Sequence, residues 1–282
     1  MKNSAGNPPA ESFFLKTEFG NCFCLYHIPN PDKRCRGGFI YVHPFGDEMN
    51  KSRRMAALQA RVFAAMGFGV LQIDLFGCGD SQGEFENARW DIWKQNLEAA
   101  RGWLENRITA PVSLWGLRLG ALLALDFARS SEKKMEKIVL WQPVISGELF
   151  LTQFLRLRVA NEMLGSRNEK TSGTKALRNS LAAGERLEIA GYELVHELTE
   201  AIENLKAVNL MVSEIPVHWF EIVSEPGRAM PPAGTKVVRE WEKEKNGNLS
   251  VHLVPCAPFW ATQEISECPE LVTATAKILS KA

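Results

Sequence analysis

The sequence lacks an excess of either charge: its 282 residues carry 33 Lys and Arg and 33 Asp and Glu, for a formal net charge of +0. A chain without a cationic surplus has no electrostatic footprint for nucleic acid, so we predict no nucleic-acid partner. It also lacks any apolar run near the ~18–20 residues that a membrane-spanning helix needs. The first 16 residues are polar and hold no apolar signal-peptide core. We therefore expect a cytoplasmic protein with no membrane span.

The six cysteines lack the spacing of a disulfide framework. Without a signal peptide, this predicts reduced thiols. Cys22-x-Cys24 followed by Cys35 comes nearest to a metal motif, but no His or Cys pair nearby completes a tetrahedral set. The alternation around Cys22 and Cys24 is more typical of a β-strand. We predict no metal and no cofactor.

What the chain does have is a regular alternation of strand-like and helix-like runs, which predicts a mostly parallel central sheet flanked by helices. An antiparallel hairpin, 12–17 with 21–27, should precede that sheet. The expected strands are 39–43, 70–73, 112–115, 137–144, 217–223 and 249–254, and the expected helices are 51–66, 88–106, 121–128, 234–245 and 269–280, with a loop at 44–49 before the first helix.

This alternation stops in the middle of the chain. Residues 149–208 contain no convincing strand, although they include the amphipathic run 150–158. We interpret the segment as a helical cap inserted over the sheet. The predicted organisation is therefore a core of residues 1–147 and 209–282 and a cap of residues 148–208.

Residues 116–120, with the sequence Gly-Leu-Arg-Leu-Gly, join an apolar strand to an apolar helix. A Gly-x-Ser-x-Gly in that setting forms the nucleophile elbow of α/β-hydrolases. The chain resembles that family over nearly its whole length, and the resemblance implies an α/β-hydrolase fold. Here Arg118 holds the nucleophile position. A guanidinium stays protonated in proteins and cannot attack a carbonyl, so the fold signal and the chemistry disagree.

Several short stretches carry a narrower resemblance: 43–45, 48–55, 74–81, 115–120, 141–143 and 259–265. They are similar to the second hydrolase-type protein associated with bacterial exosortase A systems, and an arginine at the elbow belongs to that pattern. Those systems sort surface proteins and accompany exopolysaccharide production. The resemblance implies a cytoplasmic accessory hydrolase with exosortase or exopolysaccharide machinery proteins as partners, and it supplies no particular reaction.

The other two positions of a Ser-His-acid triad are an acid after a late strand and a histidine after the last one. Glu225 is the carboxylate that fits the acid position, although an exposed turn residue would look the same. The loop after the last strand has no histidine, and His252 lies inside that strand. Without a base, even a hidden serine would stay a weak nucleophile.

Two cysteines are alternative nucleophiles. Cys78 lies in a loop at the C-terminal edge of the predicted sheet, where ligands bind in open α/β folds. Cys256 is close to the position of the missing histidine. Asp74, in the same loop as Cys78, fits a turn-stabilising carboxylate better than a catalytic one.

The backbone N–H groups that would bind an oxyanion fit the hydrolase pattern better than the triad positions do. Phe45 can supply one N–H from the turn after the first buried strand, and Leu119 can supply a second. Together with Arg118 they would hold a carboxylate or phosphate. Alternatively, Asp47 or Glu48 neutralises Arg118 internally, because an unpaired buried guanidinium is too costly.

Two functions stay open on these grounds. The first is a hydrolase with an altered mechanism, in which Cys78, Glu225 or an activated water replaces the triad and an acyl, peptide or glycan-linked compound is the substrate. The second is a non-catalytic protein that uses Arg118 to bind a small anionic ligand, or its cap to bind a partner protein. The missing base and the arginine favour the second.

Overall fold

The computed structural model describes residues 9–165, 173–244 and 248–280. Ten strands and eight helices are found in these ranges. The strands are β1 (Ala10–Lys16), β2 (Asn21–His27), β3 (Gly37–Val42), β4 (Phe68–Ile73), β5 (Val112–Leu117), β6 (Ile138–Trp141), β7 (Leu187–Ile189), β8 (Tyr192–Leu194), β9 (Val217–Val223) and β10 (Leu249–Pro255). The helices are α1 (Asp47–Ala65), α2 (Trp90–Arg107), α3 (Leu119–Ser130), α4 (Gly147–Gly165), α5 (Thr174–Ala182), α6 (His196–Glu203), α7 (Pro232–Lys243) and α8 (Pro269–Ser280).

Eight of the strands form one sheet in the order β1-β2-β4-β3-β5-β6-β9-β10. Strand β2 is antiparallel to β1 and to β4, and every other neighbouring pair is parallel. The predicted, mostly parallel sheet flanked by helices is therefore confirmed, as is the opening hairpin. In the register, Gly116 of β5 pairs with Val42 of β3 and Leu140 of β6. The loops that follow these three strands consequently emerge side by side.

The central strands are buried on both faces, as helices on both sides of a parallel sheet require. One face holds Phe39, Trp115 and Trp141 against α1 and α8. The opposite face holds Ile40 and Leu114 against α2 and α3. Two apolar layers thus fix the sheet and the loops at its C-terminal edge.

Helix α1 begins earlier than predicted, at Asp47, so the loop after β3 is shorter than expected. Gly46 precedes it with a positive φ of 57°. The carboxylates of Asp47 and Glu48 lie in the first turn, where their negative charge interacts favourably with the positive end of the helix dipole. The shorter loop places Glu48 on a helix beside the sheet edge.

The expectation of no strand in 149–208 was wrong. β7 and β8 form a small antiparallel pair joined by Ala190 and Gly191. Both turn residues have positive φ, 51° and 84°, which is the backbone of a two-residue hairpin turn. An alanine at the first of these positions is a poor sequence signal for that turn, and three-residue strands are too short to show alternation.

This segment leaves and rejoins the sheet at one place. The N–H of Gly147 donates to the Leu205 carbonyl over 2.9 Å, and the N–H of Ala207 donates to the Ile145 carbonyl over 2.9 Å. These two hydrogen bonds thus join the beginning and the end of the segment just beyond β6.

The prediction of reduced thiols throughout was also wrong, since Cys256 and Cys268 form a disulfide. The chain after β10 folds back so that their Cα atoms lie 6.0 Å apart, within the range that a disulfide bridges. A tertiary approach of this kind leaves no mark in cysteine spacing. Cys22, Cys24, Cys35 and Cys78 are free.

Across the described part of the chain, we find no helix with the length and apolar character needed to cross a membrane.

Candidate functional site

The elbow of the sequence is a sharp turn between β5 and α3. Arg118 stands between them with φ 56° and ψ −118°, a backbone conformation that costs about 1–3 kcal/mol for a residue with a side chain. A Cβ on Gly116 would lie 2.6 Å from the Gly120 carbonyl oxygen, and one on Gly120 would lie 2.3 Å from the His43 carbonyl oxygen. Both glycines are thus required for the close packing of strand, helix and the loop after β3.

The Arg118 side chain is held by Glu48. Its Nε lies 3.3 Å from Glu48 Oε1, and the two side chains are 17% and 22% exposed. The guanidinium carbon also lies 5.3 Å from the centre of the Trp260 ring, a cation–π distance. Asp47, the other internal partner considered, binds Lys51 over 2.9 Å instead.

The pairing leaves Glu48 incompletely satisfied. Burial raises the pKa of its carboxyl, and the Arg118 guanidinium opposes that rise. Its Oε2 is buried and has no hydrogen-bond partner among the residues described. Arg118 donates to Glu48 through Nε alone. The pair therefore neutralises the partly buried guanidinium with a single long hydrogen bond.

Phe45 and Leu119, the predicted oxyanion donors, line one small cavity. Its other walls are mainly apolar and include Trp93 and Leu123. The volume of this cavity is about 10 Å³, which is room for about one water molecule. Arg118 is not among its walls. We call this space the inner cavity.

The backbone N–H groups of Phe45 and Leu119 are not used in the hydrogen bonds of the fold. Neither has a hydrogen-bond acceptor within the described ranges. Leu119 opens α3, and the first N–H groups of a helix lack partners inside the helix. Phe150 and Phe154 of α4 pack edge-on against the Phe45 ring at 5.7 and 5.2 Å, so α4 covers this loop.

His43 lines the inner cavity but is committed to holding loops. Its Nε2 accepts a hydrogen bond from the Leu75 N–H over 3.2 Å, which leaves the proton on Nδ1, 2.8 Å from the Pro44 carbonyl oxygen. Burial lowers the pKa of the imidazole. A neutral histidine with both nitrogens engaged fixes the turn that presents the Phe45 N–H.

Cys78 also lines the inner cavity, as its predicted loop position suggested. It is buried, and burial strongly raises the pKa of its thiol. Since the thiolate is the nucleophilic form, this environment disfavours the form that Cys78 would need as a nucleophile. The structure brings Cys78 and Phe45 to one cavity and leaves Arg118 outside its walls.

Glu225, His196, His218 and His252 do not line the inner cavity and have other partners. Glu225 is 69% exposed and faces Arg228 at 3.6 Å. His252 lies in β10, stacked on Phe220, with its Nε2 3.3 Å from Nδ1 of His218. His196 faces Glu200 at 3.7 Å. Cys256, the other alternative nucleophile, is in the disulfide.

The sequence reasoning missed a second buried carboxylate, Glu221 of β9. It accepts hydrogen bonds from Trp219 Nε1 over 2.9 Å and from Gln142 Nε2 over 3.0 Å. Burial raises the pKa of Glu221, and the charge of Arg118 opposes the rise. Gln142 itself has a positive φ of 41°. The signal was present: an acidic residue in the middle of an apolar strand needs a partner.

Asp74 has the structural role that its sequence context indicated. Arg53 binds it through two nitrogens, at 3.3 Å to Oδ1 and 2.8 Å to Oδ2. The Asp80 N–H also donates to Oδ2 over 3.1 Å. Asp74 thereby ties α1 to the loop after β4.

Comparisons with known proteins agree with this geometry at the level of the fold. A soluble variant of monoglyceride lipase from Saccharomyces cerevisiae, in complex with a substrate analogue, aligns with a TM-score of 0.67 at 13% identity, over 100% of this chain and 97% of the lipase. Est1E from Butyrivibrio proteoclasticus with bound ferulic acid gives 0.66 at 14% identity, over 95% and 98%. A thermostable carboxyl esterase from Bacillus coagulans with glycerol gives 0.64 at 11%, over 96% and 98%.

No protein-family model and no curated protein matches the chain. The structural neighbours are α/β-hydrolase-fold esterases and lipases, and this chain has the α/β-hydrolase fold.

Proposed function

We propose that this hydrolase-fold protein binds a small acyl or carboxylate compound without hydrolysing it. The observation that carries the proposal is Arg118, which stands at the strained elbow position and is ion-paired with Glu48. A guanidinium cannot act as the nucleophile there. The loop after β10, where a base would stand, contains no histidine. The triad is thus degenerate at two positions.

The binding half of the proposal rests on the inner cavity. The unpartnered N–H groups of Phe45 and Leu119 donate to an acyl or carboxylate oxygen, which takes up the room for about one water in the cavity, and the carbon chain of the ligand lies outside it. Arg118 adds positive charge from outside the cavity, reduced by Glu48. The lipase and the esterase Est1E were solved with a substrate analogue and ferulic acid, so ligands of modest size suit this fold.

Hydrolysis by an altered mechanism is the second candidate, and the two preserved N–H groups favour it. Cys78 would have to lose its proton against a strongly raised pKa. Glu225 would have to leave its exposed turn. These placements make catalysis through the predicted residues the weaker proposal.

A panel of p-nitrophenyl esters of short and medium chain separates the two. We expect no turnover above buffer for the wild type, for Arg118→Ser or for Arg118→Ala, because a serine without a base stays weak. In the same samples, butyrate should shift the amide NMR signals of Phe45 and Leu119. Wild-type turnover that disappears in Cys78→Ala or Arg118→Ala would establish the enzyme and end the proposal.

The cellular setting we propose follows the narrower resemblance in six short stretches of sequence. It is a cytoplasmic accessory protein of an exosortase A system, with residues 148–208 acting as a cap that receives a partner of the sorting or polysaccharide machinery. A tagged full-length chain should co-purify with such proteins from cells that carry the system. Equal recovery of these proteins with Leu149→Glu/Leu157→Glu, which changes two exposed leucines of α4, would reject the cap as their site.

A further inference from the structure

Three side chains of the kind that bind metal ions lie together where the loop after β10 meets helix α8. They are Cys256, Cys268 and Glu270, and their sulfur and carboxylate atoms all lie within 4.8 Å of one another. In a tetrahedral zinc site, with bonds of about 2.0–2.3 Å, neighbouring ligand atoms are about 3.3–3.8 Å apart. Among the described residues, no other group of three His, Cys, Asp or Glu side chains comes this close. We call these three residues the cysteine–glutamate cluster.

The disulfide between Cys256 and Cys268 is the oxidised form of this cluster. A dithiol reductant converts it to two thiols: the S–S bond breaks, each sulfur gains a proton, and the dithiol supplies the two electrons and becomes a disulfide itself. The two Cα atoms lie 6.0 Å apart, so rotation of the side chains is enough to separate the sulfurs and admit an ion between them. Reduction therefore turns a covalent link into a pair of neighbouring metal ligands.

Backbone hydrogen bonds hold both cysteines in place without the S–S bond. The N–H of Cys256 donates to the Val223 carbonyl over 2.9 Å. The N–H of Cys268 donates to Met55 Sδ over 3.2 Å, and the Leu271 N–H donates to the Cys268 carbonyl over 3.1 Å. Cys268 is also fully buried. These contacts remain after reduction, so the two thiols are preorganised for a common ligand.

The third member of the cluster faces solvent. Glu270 is exposed, and no hydrogen bond or ion pair engages its carboxylate within the described ranges. Arg54 contacts the same loop, but Glu267 neutralises it, so it does not compete for Glu270. Cys256 is half-buried. An ion can therefore enter from the side of Glu270, and water can complete its coordination there.

We propose that the reduced cysteine–glutamate cluster binds one Zn²⁺ ion. Thiolates and a carboxylate are ligands that zinc accepts, whereas Mg²⁺ and Ca²⁺ take oxygen ligands. Binding releases the two thiol protons to solvent, and a water molecule takes the fourth position. Zinc then closes the loop that carries Trp260, the ring that contacts Arg118, as the disulfide does in the oxidised form. The inference goes beyond the proposed function and does not depend on it.

The test titrates the full chain with Co²⁺ and then Zn²⁺, after reduction with dithiothreitol and desalting under nitrogen. We expect one Co²⁺ per chain and a thiolate-to-cobalt charge-transfer absorption that Zn²⁺ abolishes, and no such absorption from unreduced protein. Cys256→Ser should remove most of the absorption. Glu270→Gln should weaken Co²⁺ binding by about tenfold or more, since even an outer partner of a metal ligand contributes that much. The matched variants Cys35→Ser, a half-buried free thiol, and Glu267→Gln, an exposed carboxylate of the same loop, should bind Co²⁺ like the wild type.

A second measurement uses the wild type alone and decides the matter if a cysteine variant fails to fold. Iodoacetamide should alkylate Cys256 of the reduced chain, and Zn²⁺ should protect Cys256 while Cys35 is labelled as before, as peptide mass spectrometry shows. Reduced, folded protein that gains no cobalt absorption overturns the proposal. Absorption that survives Cys256→Ser, or equal protection of Cys35 and Cys256 by Zn²⁺, overturns it as well, because the ion then lies at other thiols.

Discussion

Two ion pairs join helix α1 to the C-terminal edge of the sheet, and they are built differently. Arg53 grips Asp74 with two nitrogens, and the Asp80 N–H adds a third hydrogen bond. Arg118 meets Glu48 through Nε alone, and Glu48 Oε2 has no partner among the described residues. The first arrangement satisfies its carboxylate, whereas the second leaves hydrogen-bonding capacity on both partners.

The difference distinguishes a structural ion pair, Arg53 with Asp74, from the pair at the candidate site, Arg118 with Glu48. A bidentate arginine–carboxylate pair fixes geometry as well as charge, as a structural clamp must. A pair with one long hydrogen bond neutralises the partly buried Arg118 and holds it less firmly. The elbow turn thus has a strained backbone at Arg118, and Glu48 balances the charge of the Arg118 side chain beside the inner cavity, for which we propose binding of an acyl or carboxylate oxygen.

Breaking the ion pair between Arg53 and Asp74 should have the largest effect on stability. Asp74→Ala leaves Arg53 without its partner and frees the loop that Asp74 holds through the Asp80 N–H. We expect it to lower the free energy of unfolding by about 3 kcal/mol, measured by urea denaturation. Asp47→Ala, which removes an exposed i,i+4 pair with Lys51, should cost less than about 0.5 kcal/mol. A loss from Glu48→Ala as large as that from Asp74→Ala would abolish the contrast between the two pairs.

Double-mutant cycles should give a smaller but more direct measure of the contrast. We expect a coupling energy of about 2 kcal/mol between Arg53→Met and Asp74→Asn, and of about 0.5–1 kcal/mol between Arg118→Met and Glu48→Gln. The two pairs share neither partner, so each cycle serves as the control for the other. Equal couplings would mean that Glu48 clamps Arg118 as firmly as Asp74 clamps Arg53.

Much of the fold was predictable because the apolar patterns of its strands and helices are strong. The elbow was predictable as well, since Gly116 and Gly120 are required by contacts that would clash with any Cβ. The β7–β8 pair was missed because its turn uses alanine at a positive φ. The disulfide was missed because it depends on how the chain folds back after β10.

The partners of Arg118 were harder to predict. Asp47 and Glu48 are adjacent in sequence, and only the position of each on the first turn of α1 decides which carboxylate faces the elbow. Trp260 and Glu221 come from distant parts of the chain, so their approach to Arg118 depends on tertiary packing. Sequence could indicate that a buried arginine needs a partner, and the fold alone could identify it.

The smallest expected effect is a pH dependence of stability that comes from Glu48, whose pair with Arg118 leaves one carboxylate oxygen without a partner among the described residues. Burial raises the pKa of Glu48 in the folded protein above its ordinary value of about 4.3, so the folded state binds more protons in the interval between the two values. The contribution of Glu48 to stability is therefore full below the ordinary pKa and is lost as pH rises through the raised one. The side chain of the Glu48→Gln variant does not titrate, so the variant does not show this loss of stability.

Urea denaturation of wild type and Glu48→Gln at pH 4 and pH 7.5 tests the sign. The free energy of unfolding of the variant, minus that of the wild type, should be larger at pH 7.5. Buried His43, whose lowered pKa destabilises the folded state in acid, is common to both chains and cancels in the difference. Leu58→Ala, in the same helix, changes no ionisable group and should show no such trend. A difference that shrinks as pH rises would mean that Arg118 outweighs burial and that the elbow pair, like Arg53 with Asp74, is a clamp.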